Sequence, residues 1–251
     1  MGDFTFVDLL PFIAVGFAAQ LVDGALGMAF GVLSNVLLIS LGVPPAAASA
    51  GVHTVESFTT CASGVSHIAH RNVDWKLLSR LALPGMIGAA AGAYLLSQID
   101  GAVAKPFVLA YLAIIGLFLI YRGIRHAFHN RAAKYVAPLG LAGGFLDSAG
   151  GGGWGPVVTG NLLAQGTEPR RTIGTVNTAE FLVTVTSALT FLLALGVAAF
   201  TVATLGLLIG GIIAAPLGAW LVKRISPRPL LIMVGTVLAL TSGYGINRAL
   251  M

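Results

Sequence analysis

Apolar residues fall into ten runs, near 8–22, 28–42, 46–68, 77–97, 103–121, 136–146, 154–165, 172–196, 198–222 and 229–247, separated by polar or glycine-rich breaks. About 20 helical residues cross a hydrocarbon layer about 30 Å thick, and six of the runs are long enough to do so. The other four are short and come as two adjacent pairs. The pattern predicts an all-α polytopic membrane protein.

The pairs recur because the chain is a tandem duplication. Residues 16–68 align without a gap on residues 140–192, an offset of 124, with 14 identical pairs in 53. Unrelated chains of such composition would match at roughly one position in ten. The matches include Asp23/Asp147, Gly27/Gly151, Gly31/Gly155, Pro45/Pro169, Thr54/Thr178, Glu56/Glu180, Thr60/Thr184 and Ser63/Ser187, which shared hydrophobicity alone would not align. Each repeat holds a short pair, broken at Asp23-Gly-Ala-Leu-Gly or Asp147-Ser-Ala-Gly-Gly-Gly-Gly, and then three full-length segments. Whether the pair is a re-entrant hairpin or two thin spans, the repeat crosses an odd number of times. Its twin then inserts upside down. The expected organisation is two inverted repeats, residues 1–130 and 131–251, each a broken or re-entrant helix pair plus three transmembrane helices.

Charge tests that parity. With both termini, residues 43–45, 98–105 and 197–199 on one side, that side holds only Lys105 and Arg248. The opposite side holds Arg71, Lys76, Arg80, Arg122, Arg125, Arg131, Lys134, Arg170, Arg171, Lys223, Arg224 and Arg228. The positive-inside rule makes the second side cytoplasmic and puts both termini outside. Asp3 and Asp8 stand where a cleaved signal peptide would carry cations, so residues 8–22 are expected in the mature protein.

Composition agrees: 57% of residues are hydrophobic and 9% charged, far below the quarter usual in soluble domains. The net charge of +5 is spread between apolar runs, which is topology and gives no nucleic-acid face. Cys61 is the only cysteine, so no disulfide framework exists. No Walker motif, nucleophile elbow or Cys/His constellation is present, so neither an enzyme, a cofactor nor a metal site is expected. His126 and His129, at i and i+3, lack further ligands.

The chemistry gathers at the breaks. Gly151, Gly152 and Gly153, with Trp154-Gly-Pro, end one short helix and open another near Pro156. Bare N–H groups at such a start, aided by the helix dipole, suit an anion. Gly27 belongs to a weaker copy in the first half. The alternative is that the glycines only let helices pack closely. Asp23 and Asp147, at the matching breaks, cap free N–H groups or take part in ion coupling.

Glu56 and Glu180 lie about 16 Å beyond the helix entries at Pro45 and Pro169, near mid-bilayer from opposite sides. Glu56, Thr60 and Ser63, like Glu180, Thr184 and Ser187, follow i, i+4, i+7 spacing, a polar stripe that must face the interior. An intramembrane carboxylate is costly enough that a functional role is the default reading, with Glu56 and Glu180 as candidate proton-coupling groups and a protonated packing residue as the alternative. His53, Thr54, Asn177 and Thr178 sit just before the glutamates and complete the candidate substrate-binding set.

Asp147-Ser-Ala-Gly-Gly-Gly-Gly-Trp-Gly-Pro, followed by Glu168-Pro-Arg-Arg-Thr-Ile-Gly-Thr-Val-Asn-Thr-Ala-Glu180, resembles the sulfite/sulfonate exporter family of the TauE/SafE type. The resemblance covers most of the chain. It implies a bacterial inner-membrane carrier for sulfite, sulfoacetate, other organosulfonates or related sulfur anions, and it alone implies export. The first-half motif departs from it, with Leu26, Met28 and Ala29 where the second half has glycine. The expected partners are a small anion, the bilayer and protons, with a homodimer left open. A proton- or cation-coupled importer and a non-transporting assembly factor are the competing readings.

Overall fold

The computed structural model describes residues 6–26, 28–124, 133–197, 200–221 and 227–250. Every regular element among them is helical. The first half comprises α1 (Phe6–Leu26), α2 (Phe30–Ser40), α3 (Pro45–Ala69), α4 (Trp75–Gln98) and α5 (Gly101–Ile124). The second comprises α6 (Val136–Gly150), a π-helical turn (Trp154–Thr159) running into α7 (Gly160–Ala164), then α8 (Pro169–Leu195), α9 (Val202–Leu221) and α10 (Pro227–Leu250). The expected division at residues 130 and 131, and with it Arg125, His126, His129 and Arg131, lies outside the described residues, as do Lys223 and Arg224.

Helices α4, α5 and α8 are each apolar and long enough to cross a bilayer. Helix α3, of 25 residues, is as long but carries His53, Glu56 and a run of hydroxyls. Its polarity is tolerable because the face bearing them is buried: His53 is 0% exposed and Glu56 6%. Hydroxyls of Thr54, Ser57 and Thr60 bond carbonyls four residues back, removing their own polar groups from the apolar surroundings.

The halves interlock. Helix α1 packs on α9, and α6 on α4, the pairs that the 124-residue offset equates; α3 packs on α8, and α5 on α10. Small residues permit these approaches, as membrane helices without a hydrophobic drive between them require. A Cβ on Gly144 would meet the Gly85 backbone, and one on Gly116 would fall 2.7 Å from the Gly235 carbonyl oxygen. Many glycines outside the breaks are therefore packing residues.

The short segments of the second half double back. The Lys134 N–H, just before α6, donates to Gln165 Oε1 at the end of α7 (2.6 Å), so both ends of the pair share one side. The α6 C-terminus and the start of the π turn accordingly end in the interior. The first half has the same form in outline, with α2 packed along α1.

Candidate functional site

At the second break the chain turns through Gly151, Gly152 and Gly153, with φ of +77°, +122° and +146°. Only glycine adopts such a run without strain. Space demands glycine as well. A Cβ on Gly152 would fall 2.5 Å from the Val32 nitrogen and 2.6 Å from the Gly31 carbonyl carbon, so the second break rests on the N-terminal turn of α2. The two interruptions meet face to face in the interior, where Met28 also abuts Gly155.

Each break is held by its aspartate. Asp23 Oδ1 accepts from the N–H groups of Ala29 (2.6 Å) and Phe30 (3.0 Å), the otherwise unpaired donors at the start of α2. Asp147 Oδ1 accepts from the Trp154 N–H (2.8 Å), and the Asp147 carbonyl from the Gly152 N–H (2.7 Å). Because that carboxylate caps Trp154, the new helix begins there, two residues before the sequence expectation at Pro156. Pro156 still lies in the first turn, where a missing N–H is harmless. The opening is wound as a π turn, a geometry often found at functional positions.

Asp147 has a further partner. Its Oδ2 lies 3.1 Å from His53 Nε2, and His53 Nδ1 lies 2.7 Å from the Ser49 carbonyl oxygen. Ser49 Oγ donates to the Ser148 carbonyl (3.0 Å), and Ser148 Oγ bonds Ser187 Oγ (2.6 Å). One buried chain of polar groups thus ties α3, α6 and α8 together.

Between the breaks lies a small cavity lined by Asp23, Met28, Gly31, Glu56, Asp147, Gly153, Trp154, Gly155, Pro156 and Glu180, with Phe30 and Val32. Four carboxylates face it, and none of its described lining residues is lysine or arginine. Its interior accommodates about one water-sized sphere. Below it, α3 and α8 cross at their polar stripes: Thr60 Oγ1 and Thr184 Oγ1, 124 residues apart, are 3.4 Å from each other.

The structure thus brings Glu56, Glu180, Asp23, Asp147, Gly153 and Trp154 to one cavity, with Gly151, Gly152 and His53 directly behind it. Thr54, Asn177 and Thr178 do not line it. Their side chains bond the carbonyls of Ala50, Ile173 and Gly174 within their own helices. Gly27 lies outside the described residues.

Two neighbours were missed by the sequence reading. Tyr111 packs its ring on Gly150, and the Asn35 side chain lies against Gly151. Both are polar positions in the middle of otherwise apolar runs. Such interruptions are the signal that could have found them.

The family model described as Sulfite exporter TauE/SafE matches residues 12–245. The chain is 44% identical over 245 residues to Probable membrane transporter protein YtnM of Bacillus subtilis (strain 168), covering 93% of this chain and 81% of that protein. No solved structure matches significantly.

Proposed function

Because the chain belongs to the sulfite exporter TauE/SafE family of membrane transporters, we propose that it carries a small sulfur oxyanion, sulfite or an organosulfonate, outward across the bacterial inner membrane. In this reading residues 1–130 and 131–251 are inverted repeats, both termini lie outside, and the substrate passes between the paired helix breaks. The observation that carries it is the direct meeting of the breaks, Gly152 against Gly31, around a buried cavity.

The N–H groups of Gly153 and Gly155, which the Asp147 bonds leave out, are the backbone donors offered to an anion there. An oxyanion of several heavy atoms exceeds the present cavity, so binding requires the breaks to part. Rocking of one half against the other then exposes the site to each side in turn. A monovalent anion leaving a negative interior gains about 2.3 kcal/mol per 100 mV, so export needs little extra drive and proton coupling is not required for it.

The four carboxylates favour a second reading within the same site, proton- or cation-coupled import. An anion among carboxylates is repelled unless they hold protons or share a cation, so the two ligands bind better together than apart. Glu56 and Glu180 are the coupling groups in that case, with Asp23 and Asp147 engaged as caps.

Reconstituted protein separates these outcomes. Vesicles loaded with sulfite, thiosulfate, sulfoacetate, sulfate or acetate are assayed for efflux and uptake under imposed voltage and imposed proton or sodium gradients. Voltage-driven sulfur-anion efflux indifferent to the cation gradients supports export. Gradient-driven uptake that Glu180→Gln uncouples, with anion binding retained, supports the second reading. Vesicles that move none of the sulfur anions sink the proposal.

A further inference from the structure

The hydroxyl of Tyr111 is buried with no hydrogen-bond partner among the described residues. It stands on α5, among the residues lining an apolar pocket against α4 and α6, and its oxygen occupies the space that a side chain on Gly153, a residue lining the cavity between the breaks, would need. An unbonded hydroxyl in a dry interior is destabilising, and a ring serving only to fill space on Gly150 would be better as phenylalanine. Something other than packing therefore accounts for the oxygen.

The site's electrostatics indicate what it is for. A lysine or arginine placed here would be captured by Asp23, Glu56, Asp147 and Glu180, the carboxylates around the cavity. An uncharged donor that makes no hydrogen bond to a described carboxylate stays available. We infer that the Tyr111 hydroxyl is a substrate-binding donor, giving its O–H to an oxygen of the oxyanion held beside Gly153. The inference rests on the transport reading above and adds a ligand-recognising residue to it.

The test removes one atom. In Tyr111→Phe, the KM for sulfite in proteoliposomes rises on the order of tenfold, and at a fixed sulfite concentration the melting temperature rises less than in the parent. The ligand-free melting temperature equals or exceeds that of the parent, because no intramolecular bond is lost. A lower ligand-free melting temperature assigns the hydroxyl to the fold and overturns the inference. So do an unchanged KM and an unchanged sulfite response. A parent protein that itself moves no sulfur anion is a different failure: the transport reading falls first, and this inference with it.

Discussion

The two helix breaks carry aspartates at positions 124 residues apart, yet they are held differently. At the first, Asp23 caps Ala29 and Phe30 from six and seven residues away, a local clasp. At the second, Asp147 caps Trp154 and also binds His53 from the other half, while Tyr111 and Asn35 close on the glycines. His53 has Asn177 as its counterpart, and Asn177 bonds only its own helix among the described contacts. Both breaks thus use an aspartate cap, while the left-handed glycine run, the π turn and the side-chain contacts across the halves belong to the second. Four glycines survive where three elements crowd in, and are reduced where the clasp is local.

The largest test of this asymmetry is Gly152→Ala. Both its φ of +122° and the Val32 nitrogen 2.5 Å from the new Cβ oppose it. A loss of about 3–5 kcal/mol and of all transport is expected, read by denaturant unfolding in detergent and by vesicle flux. At Gly31 the new Cβ would meet Glu56 Oε1 at 3.0 Å, the movable end of a side chain, and the Gly152 Cα at 3.2 Å, both looser than the contacts at Gly152, so Gly31→Ala should be milder. Equal losses would make the breaks equivalent after all.

Removing each cap comes next. Asp147→Ala leaves the Trp154 N–H and His53 without their partner and should cost about 3 kcal/mol, against about 1–2 for Asp23→Ala, which frees two N–H groups only. The comparison fails if the order reverses. Exchanging the counterparts sharpens it further: His53→Asn is expected to lose about 1–2 kcal/mol, while Asn177→His shifts the unfolding midpoint little, since Asn177 has no described bond across the halves. Smallest is Thr60→Val, at about 0.5 kcal/mol. Its 3.4 Å contact with Thr184 is long, and Thr184→Val should match it, the crossing of α3 and α8 being the place where the halves are most alike.

Much of the fold was legible in the chain because its signals are local or periodic. Run length marks α4, α5 and α8 as spans, and the offset of 124 pairs Asp23 with Asp147 and Glu56 with Glu180 without reference to coordinates. Within the site, the carboxylates and the glycine run could be singled out because a charge or a bare backbone in an apolar stretch is conspicuous. Thr54, Asn177 and Thr178 looked equally conspicuous but satisfy themselves on their own helices. A hydroxyl or amide can return its hydrogen bond to the preceding turn, a choice that spacing does not reveal.

What the sequence alone determined is the set of elements: helices, their breaks, the 124-residue offset at which they match, and the polar residues that apolar runs cannot ignore. Hydrophobic period and backbone freedom act over a few residues and are written in the order of the chain. Only the tertiary structure decided that α1 lies on α9 and α6 on α4, that Gly152 touches Gly31, and that Tyr111 and His53 attend the second break. Those contacts join residues far apart in sequence. Their energies depend on which small residues let two backbones approach, and that exists only once both helices are in place.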